Sequence, residues 1–323
     1  MYTSLVGSVL VSFVVTAVLA RIFIPVLKSV KMGQKILDIG PRWHKSKEGT
    51  PTMGGLFFIA ASALPILFYA IKSGDAEFVI HYLFILLNGA IGFLDDYTKF
   101  FKKQNKGLSV SQKFILQFAC AAAYVLALRL NNSLSTVVTL PFVGTQIDLG
   151  IAFYVILIVG AVFTVNSTNL TDGIDGLCSS ITAVVMIFFA VLCVKSQNMA
   201  GIYLTGAVLG GMLGFLVYNF HPAKVFMGDT GSLFIGGAVV AVSIILDVPL
   251  ILLFVGVMYY VESFSVIIQV TSYKLTKKRV FKMSPIHHHF EMCGWNEVKI
   301  VFVFSLVTAL FSLIGCFGFI GSL

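Results

Sequence analysis

The chain has 323 residues, of which 58% are apolar and 11% charged, and its mean hydropathy is +0.96. Those values exclude a soluble globular domain and make a bilayer the main solvent. The formal charge of +8 is spread over short connections between apolar runs, so no nucleic-acid partner is expected.

Ten apolar runs follow one another in the sequence: 5–27, 53–71, 78–94, 114–130, 151–165, 177–194, 200–220, 233–246, 250–273 and 298–323. Runs near this length match the thickness of a bilayer as helices. The first lacks a basic segment ahead of it and exceeds the apolar core of a cleavable signal, so it is kept as a span. The connection 131–148 alternates in TVVTLPFVGTQIDLG, a pattern that predicts a small hairpin. Lys and Arg number six in 28–51, five in 95–113 and six in 274–299, whereas the opposite connections hold Lys72, Arg129 and Lys195. The positive-inside rule places the three basic connections in the cytoplasm and both termini outside. The expected fold is an all-α integral membrane protein, one domain over 1–323, built as a bundle of ten transmembrane helices with a hairpin in the outer loop. Five cysteines (Cys120, Cys178, Cys193, Cys293, Cys316) lack metal-ligand spacing and are expected to pack in the interior, with no disulfide framework.

The acidic residues carry the chemical signal. Asp95 and Asp96 close the third run, Asp172 and Asp175 lie between the fifth and sixth, and Asp229 lies between the seventh and eighth. All five fall on the inner side. Outer acids (Asp75, Glu77, Asp148, Asp247) stand in no comparable motif, and ordinary loop decoration is the plain alternative for the inner ones. Gathered carboxylates repel unless a hard cation neutralises them or some stay protonated. Magnesium fits such a set, because it takes one or two carboxylates and completes its shell with water and phosphate oxygens. Zinc spacing is absent.

Around the acids stand amides, hydroxyls and glycines, in VNSTNLTDGIDGL (165–177) and YNFHPAKVFMGDTGS (218–232). Each run precedes a span, where free N–H groups and the positive end of the helix dipole favour phosphate; turn and cap chemistry is the alternative. GTPTMGG (49–55), entered from Lys47, is a third such segment, or else a glycine entry for close helix packing. SPIHHHFE (284–291) follows a basic run and offers three imidazoles for phosphate or sugar oxygens, or for acid–base work. In the ninth run Glu262, Ser265 and Gln269 share one helical stripe, which must face the bundle interior or a wet cleft rather than lipid. Pairing of Glu262 with Lys274 or a loop cation is the structural alternative.

In the order GTPTMGG, LDDYTK, VNSTNLTDGIDGL, YNFHPAKVFMGDTGSL and PIHHHFE, the chain resembles the polyprenyl-phosphate N-acetylhexosamine-1-phosphate transferases over nearly its whole length. GTPTMGG and HHHFE favour the phospho-N-acetylmuramoyl-pentapeptide branch over the N-acetylglucosamine branch. The resemblance implies that Asp95, Asp96 and Asp229 are the catalytic aspartates and the Mg²⁺ ligands, with Asp229 the principal ligand, Asp95 the base and Asp96 near metal and diphosphate. It places His288 among the catalytic groups. Lys47, Thr52, Lys103, Asn166, Asn169, Asp172, Asp175, Asn219, Phe226, Gln269, His287 and His289 are the implied contacts to nucleotide and polar substrate groups. The implied reaction joins phospho-MurNAc-pentapeptide from UDP-MurNAc-pentapeptide to undecaprenyl phosphate at the cytoplasmic face of the bilayer, releases UMP, and is run by a homodimer. Two alternatives are a relative that uses UDP-N-acetylglucosamine and a transporter. The transporter predicts charges in mid-span on several helices.

Overall fold

The computed structural model describes residues 1–29, 47–101, 107–319 and 321. Among them, nine helices are long and apolar enough to cross a membrane. Eight come in succession: α1 (Tyr2–Ser29), α2 (Gly55–Ser73), α3 (Ala76–Phe101), α4 (Val110–Leu130), α5 (Ile151–Thr171), α6 (Leu177–Lys195), α7 (Met199–Asn219) and α8 (Gly228–Ile245). A 3₁₀ turn, Pro249–Ile251, then runs into α9 (Leu252–Val255), followed by α10 (Val257–Thr276), the short α11 (Ile286–Met292) and the ninth long helix, α12 (Glu297–Phe319). The connection between α4 and α5 forms the expected hairpin, β1 (Val137–Thr139) against β2 (Gln146–Asp148), antiparallel with Val138 opposite Ile147. Phe142, in its turn, donates its backbone N–H to Gly318 O (2.9 Å), which ties the hairpin to the end of α12.

The ninth run is not one straight span. Pro249–Val255 and Val257–Thr276 meet at 76°. Gly256, at φ −88° and ψ 4°, leaves the helical path, and a Cβ there would lie 2.7 Å from Leu252 O. Composition hides such a break, because a single glycine does not lower the hydropathy of a 20-residue window. Two other elements also run further than the apolar runs. α3 continues through Asp95 and Asp96 to Phe101, and α5 carries Asn166 and Asn169 on its last turns.

Lipid reverses the sidedness familiar from water. On α1 the small or polar Ser8, Ser12, Thr16 and Ala20 are buried, while Val6, Leu10, Val14 and Val18 are exposed. Without a hydrophobic force between helices, small residues let backbones approach. Gly206, Gly210 and Gly214 of α7 meet that stripe, and a Cβ on Gly214 would sit 2.5 Å from Phe13 O. α8 is buried without interruption from Thr230 to Ile244. A helix apolar on every face belongs at the centre, and this one carries Asp229 on its first turn into the middle of one end of the bundle.

Candidate active site

The end at which α3, α5, α7 and α10 finish, and α4, α6, α8 and α12 start, gathers the acidic motifs. Asp95 and Asp96 project from α3, and both are 3% exposed; Asp229, half-buried, faces them from α8. One oxygen from each lies within 4.8 Å of the others. The approach depends on Gly92, because a Cβ there would run into the backbone carbonyl of Asp229.

Three buried or half-buried carboxylates at this distance need neutralisation, and two lysines supply it. The Lys99 Nζ stands 2.7 Å from Asp95 Oδ2, 3.2 Å from Asp229 Oδ2 and 3.5 Å from Asp96 Oδ1. The Lys113 Nζ, from the first turn of α4, is 2.6 Å from Asp229 Oδ2. Asn169 donates to Asp229 Oδ1 (2.9 Å) and to Ser232 Oγ (2.8 Å). Asp96 Oδ2 accepts both the N–H (2.9 Å) and the hydroxyl (2.7 Å) of Thr230, while Asp95 Oδ1 accepts the N–H of Leu108 (2.9 Å). The donor set is all oxygen, with a cationic ammonium already at its centre, so the residues present suit a hard divalent ion that coordinates oxygen.

A second cluster lies in the loop that follows α5. Asp175 Oδ1 pairs with Lys47 Nζ (2.7 Å), and its Oδ2 accepts the N–H of Ala223 (2.9 Å) and lies 3.0 Å from His221 Nδ1. Glu297, at the start of α12, accepts from Lys47 Nζ (2.6 Å) and from the backbone N–H of Asp175 (2.9 Å) through the same oxygen. Asp172, between the two clusters, keeps part of its surface exposed. Burial, and then the carboxylates of Asp229, Asp96 and Asp175, push it up to about 8.

The histidine segment is helical rather than a loop, as α11. His287 is 1% exposed, its ring against Gly173, with Nδ1 3.1 Å from Glu262 Oε2. Glu262 thus faces the bundle interior and meets an imidazole rather than Lys274. His288 Nδ1 is 2.6 Å from Glu291 Oε2, and His289 Nδ1 accepts the N–H of Lys282 (3.1 Å).

The remaining sequence candidates divide into groups beside the carboxylate cluster and groups hydrogen-bonded within the bundle. Thr52 and the half-buried Phe226 lie on two segments joined by Phe226 N to Pro51 O (2.8 Å) and Gly54 N to Phe226 O (2.9 Å), beside Gly228 and Asp96. Asn219 is held between Ser179 Oγ (2.7 Å) and Val225 O (3.0 Å). Asn166 donates to Gln117 Oε1 (2.7 Å), and Gln269 uses its amide on the backbone of Val280 and Phe281. Lys103 lies outside the described residues. In the sequence Lys99 and Lys113 stand as topogenic charge, and His221 and Glu297 carry no chemical signal of their own. For Lys99 a signal was present, since DDYTK sets the lysine three and four residues after the acids on one helical face.

An oxygen-rich, lysine-bridged carboxylate cluster at one end of a multi-pass helical bundle suits phosphate chemistry at a membrane surface. Residues 78–247 match the model of glycosyl transferase family 4, and that match covers more than half of the chain. Residues 47–59 match phospho-N-acetylmuramoyl-pentapeptide-transferase signature 1. The phospho-N-acetylmuramoyl-pentapeptide-transferase of Clostridium botulinum (strain Eklund 17B / Type B) is 46% identical over 314 residues, 97% of this chain and 95% of the relative. Those of Clostridium beijerinckii and Caldanaerobacter subterraneus subsp. tengcongensis are each 44% identical, over 315 and 316 residues, covering 97% and 95% of this chain and 96% of each relative. The chain belongs to the phospho-N-acetylmuramoyl-pentapeptide-transferase family.

Proposed function

We propose that the protein transfers phospho-MurNAc-pentapeptide from UDP-MurNAc-pentapeptide to undecaprenyl phosphate, yielding UMP and the first lipid-linked intermediate of peptidoglycan. The observation that carries this reading is the meeting of Asp95, Asp96 and Asp229 around Lys99 and Lys113. The reaction faces are assigned by charge, with the site in the cytoplasm beside the Lys- and Arg-rich connections. A homodimer is carried over from the family resemblance.

Asp229, Asp96 and Asp95 would hold Mg²⁺, which supplies charge neutralisation for the diphosphate and polarises its phosphorus. The chain's own groups do the rest. An oxygen of the lipid phosphate attacks the β-phosphorus of the donor, and the bond from that phosphorus to the bridging oxygen breaks, so that UMP leaves with the electron pair. Asp95 takes the proton of the lipid phosphate when that group is protonated. Lys99 and Lys113, whose ammonium groups stand at the carboxylate cluster, would place positive charge where the phosphate oxygens accumulate negative charge. Lys47, Asp172, Asp175, Thr52 and Phe226 receive the nucleotide, and His288 and His289 the sugar–peptide side.

Asp229→Asn tests the reading. UMP release with saturating Mg²⁺ should fall about a hundredfold or more, the scale of removing one preorganised electrostatic partner. Undiminished release would remove Asp229 from both the metal site and the chemistry.

A further inference from the structure

We infer that Glu297 is a positioning residue for donor binding, acting through Lys47 and Asp175. The inference rests on the transferase reading above. It begins from a carboxylate that no motif predicts, 8% exposed on the first turn of α12. Its Oε2 is the meeting point of three separate segments: Lys47 Nζ at 2.6 Å, the backbone N–H of Asp175 at 2.9 Å, and His221 Nδ1 at 3.8 Å.

Charge balance shows why this is more than a stabilising pair. Lys47 alone neutralises Asp175, at 2.7 Å. Glu297 brings a second carboxylate to the one ammonium, with the His221 imidazole at 3.8 Å, and ion pairs withdrawn from water return little stability for their desolvation. What it provides instead is geometry. Lysine is a point charge on a flexible four-carbon stem with three donors. Held by Asp175 alone, its ammonium could take many positions around one carboxylate. Held between Asp175 and Glu297, it has two donors assigned and the third left for a ligand. The same Glu297 oxygen also fixes the backbone of Asp175, whose N–H would otherwise be buried without a partner. Asp175 is meanwhile held from the far side by Ala223 N and His221. Glu297 therefore presets a cation and an acceptor, Lys47 and Asp175, at a fixed separation, as a ligand carrying both an acceptor and a donor on one edge requires.

The cluster lies apart from the Asp95, Asp96 and Asp229 group, so the effect belongs in donor affinity rather than in the chemical step. The test is steady-state UMP release by the full chain in detergent with undecaprenyl phosphate and Mg²⁺. KM and kcat are read on whichever donor the wild type turns over, UDP-MurNAc-pentapeptide or UDP-N-acetylglucosamine. Glu297→Ala should raise donor KM about ten- to a hundredfold, the scale of a charged hydrogen bond, with kcat close to wild type. Glu297→Gln keeps one acceptor for Lys47 and the Asp175 N–H, and should give an intermediate rise; it also carries the test if the alanine variant does not fold. Combining Glu297→Ala with Lys47→Ala should cost less than the sum of the two single variants, because part of the effect of Glu297 runs through Lys47. Unchanged KM in both Glu297 variants, a fall in kcat at constant KM, or additive effects with Lys47→Ala would overturn the inference while leaving the transferase reading intact. A wild type inactive with both donors would overturn both.

Discussion

Asp172 is the residue whose ionisation the site perturbs most visibly outside the helices, up to about 8. An aspartate in an unfolded chain titrates near 3.9. Between those two values the folded protein binds more protons than the unfolded chain, so this group's contribution to stability falls as pH rises through the window. Asp172→Asn removes the dependence. In Mg²⁺-free buffer its Tm should exceed that of the wild type, by more at about pH 9 than at about pH 6. An equal difference at both would show that Asp172 is ionised throughout. At this scale the sequence was legible where chemistry is local. The five aspartates stand in short motifs, and Lys99 follows Asp95 and Asp96 at helical spacing. Lys113, His221 and Glu297 were not legible, because each meets its partner, Asp229 or Asp175, at a sequence separation of 46 or more. Gln269 and Asn219, substrate contacts by the family resemblance, also hold hydrogen bonds to backbone and hydroxyl groups of other segments, which sequence order does not display.

Elements explain how the acids meet. α3 and α8 come close enough at Gly92 that a methyl group would strike the Asp229 backbone, whereas at Gly89 on the same helix a Cβ would rest at an ordinary 3.4 Å from Phe234. In isolation Gly→Ala favours a helix by about 1 kcal/mol. At Gly92 the collision should outweigh that gain, since overpacking costs about 1–3 kcal/mol. Gly92→Ala is therefore expected to lower Tm and to cut UMP release about tenfold or more by moving Asp229 off Asp95 and Asp96, while Gly89→Ala keeps near-wild-type activity. Equal activity in the two variants would mean that the α3–α8 approach does not set the site. Apolar length announced the spans, because lipid demands about 20 residues per crossing. The break at Gly256 was invisible because it depends on packing, with Gly315 of α12 lying against Phe254. The helix α11 was hidden by its seven residues, too few for a periodic signal.

For the whole molecule, the orientation of the bundle decides which compartment supplies the substrate. Cys120, Cys178, Cys193 and Cys316 are buried as expected, but Cys293 is exposed, because it follows α11 at the end of the bundle that carries the acids. A membrane-impermeant maleimide should therefore label the protein in inverted vesicles and leave it unlabelled in right-side-out vesicles. Labelling in right-side-out vesicles alone would reverse the assigned topology. The transporter alternative expected charges in mid-span on several helices, whereas here Asp95, Asp96, Asp172, Asp175, Asp229 and Glu297 gather at one end. The most direct test of the account is the donor itself. Purified protein given undecaprenyl phosphate, Mg²⁺ and UDP-MurNAc-pentapeptide should release UMP and form a lipid-linked phospho-MurNAc-pentapeptide, and should do neither with UDP-N-acetylglucosamine. UMP release from UDP-N-acetylglucosamine alone would contradict it.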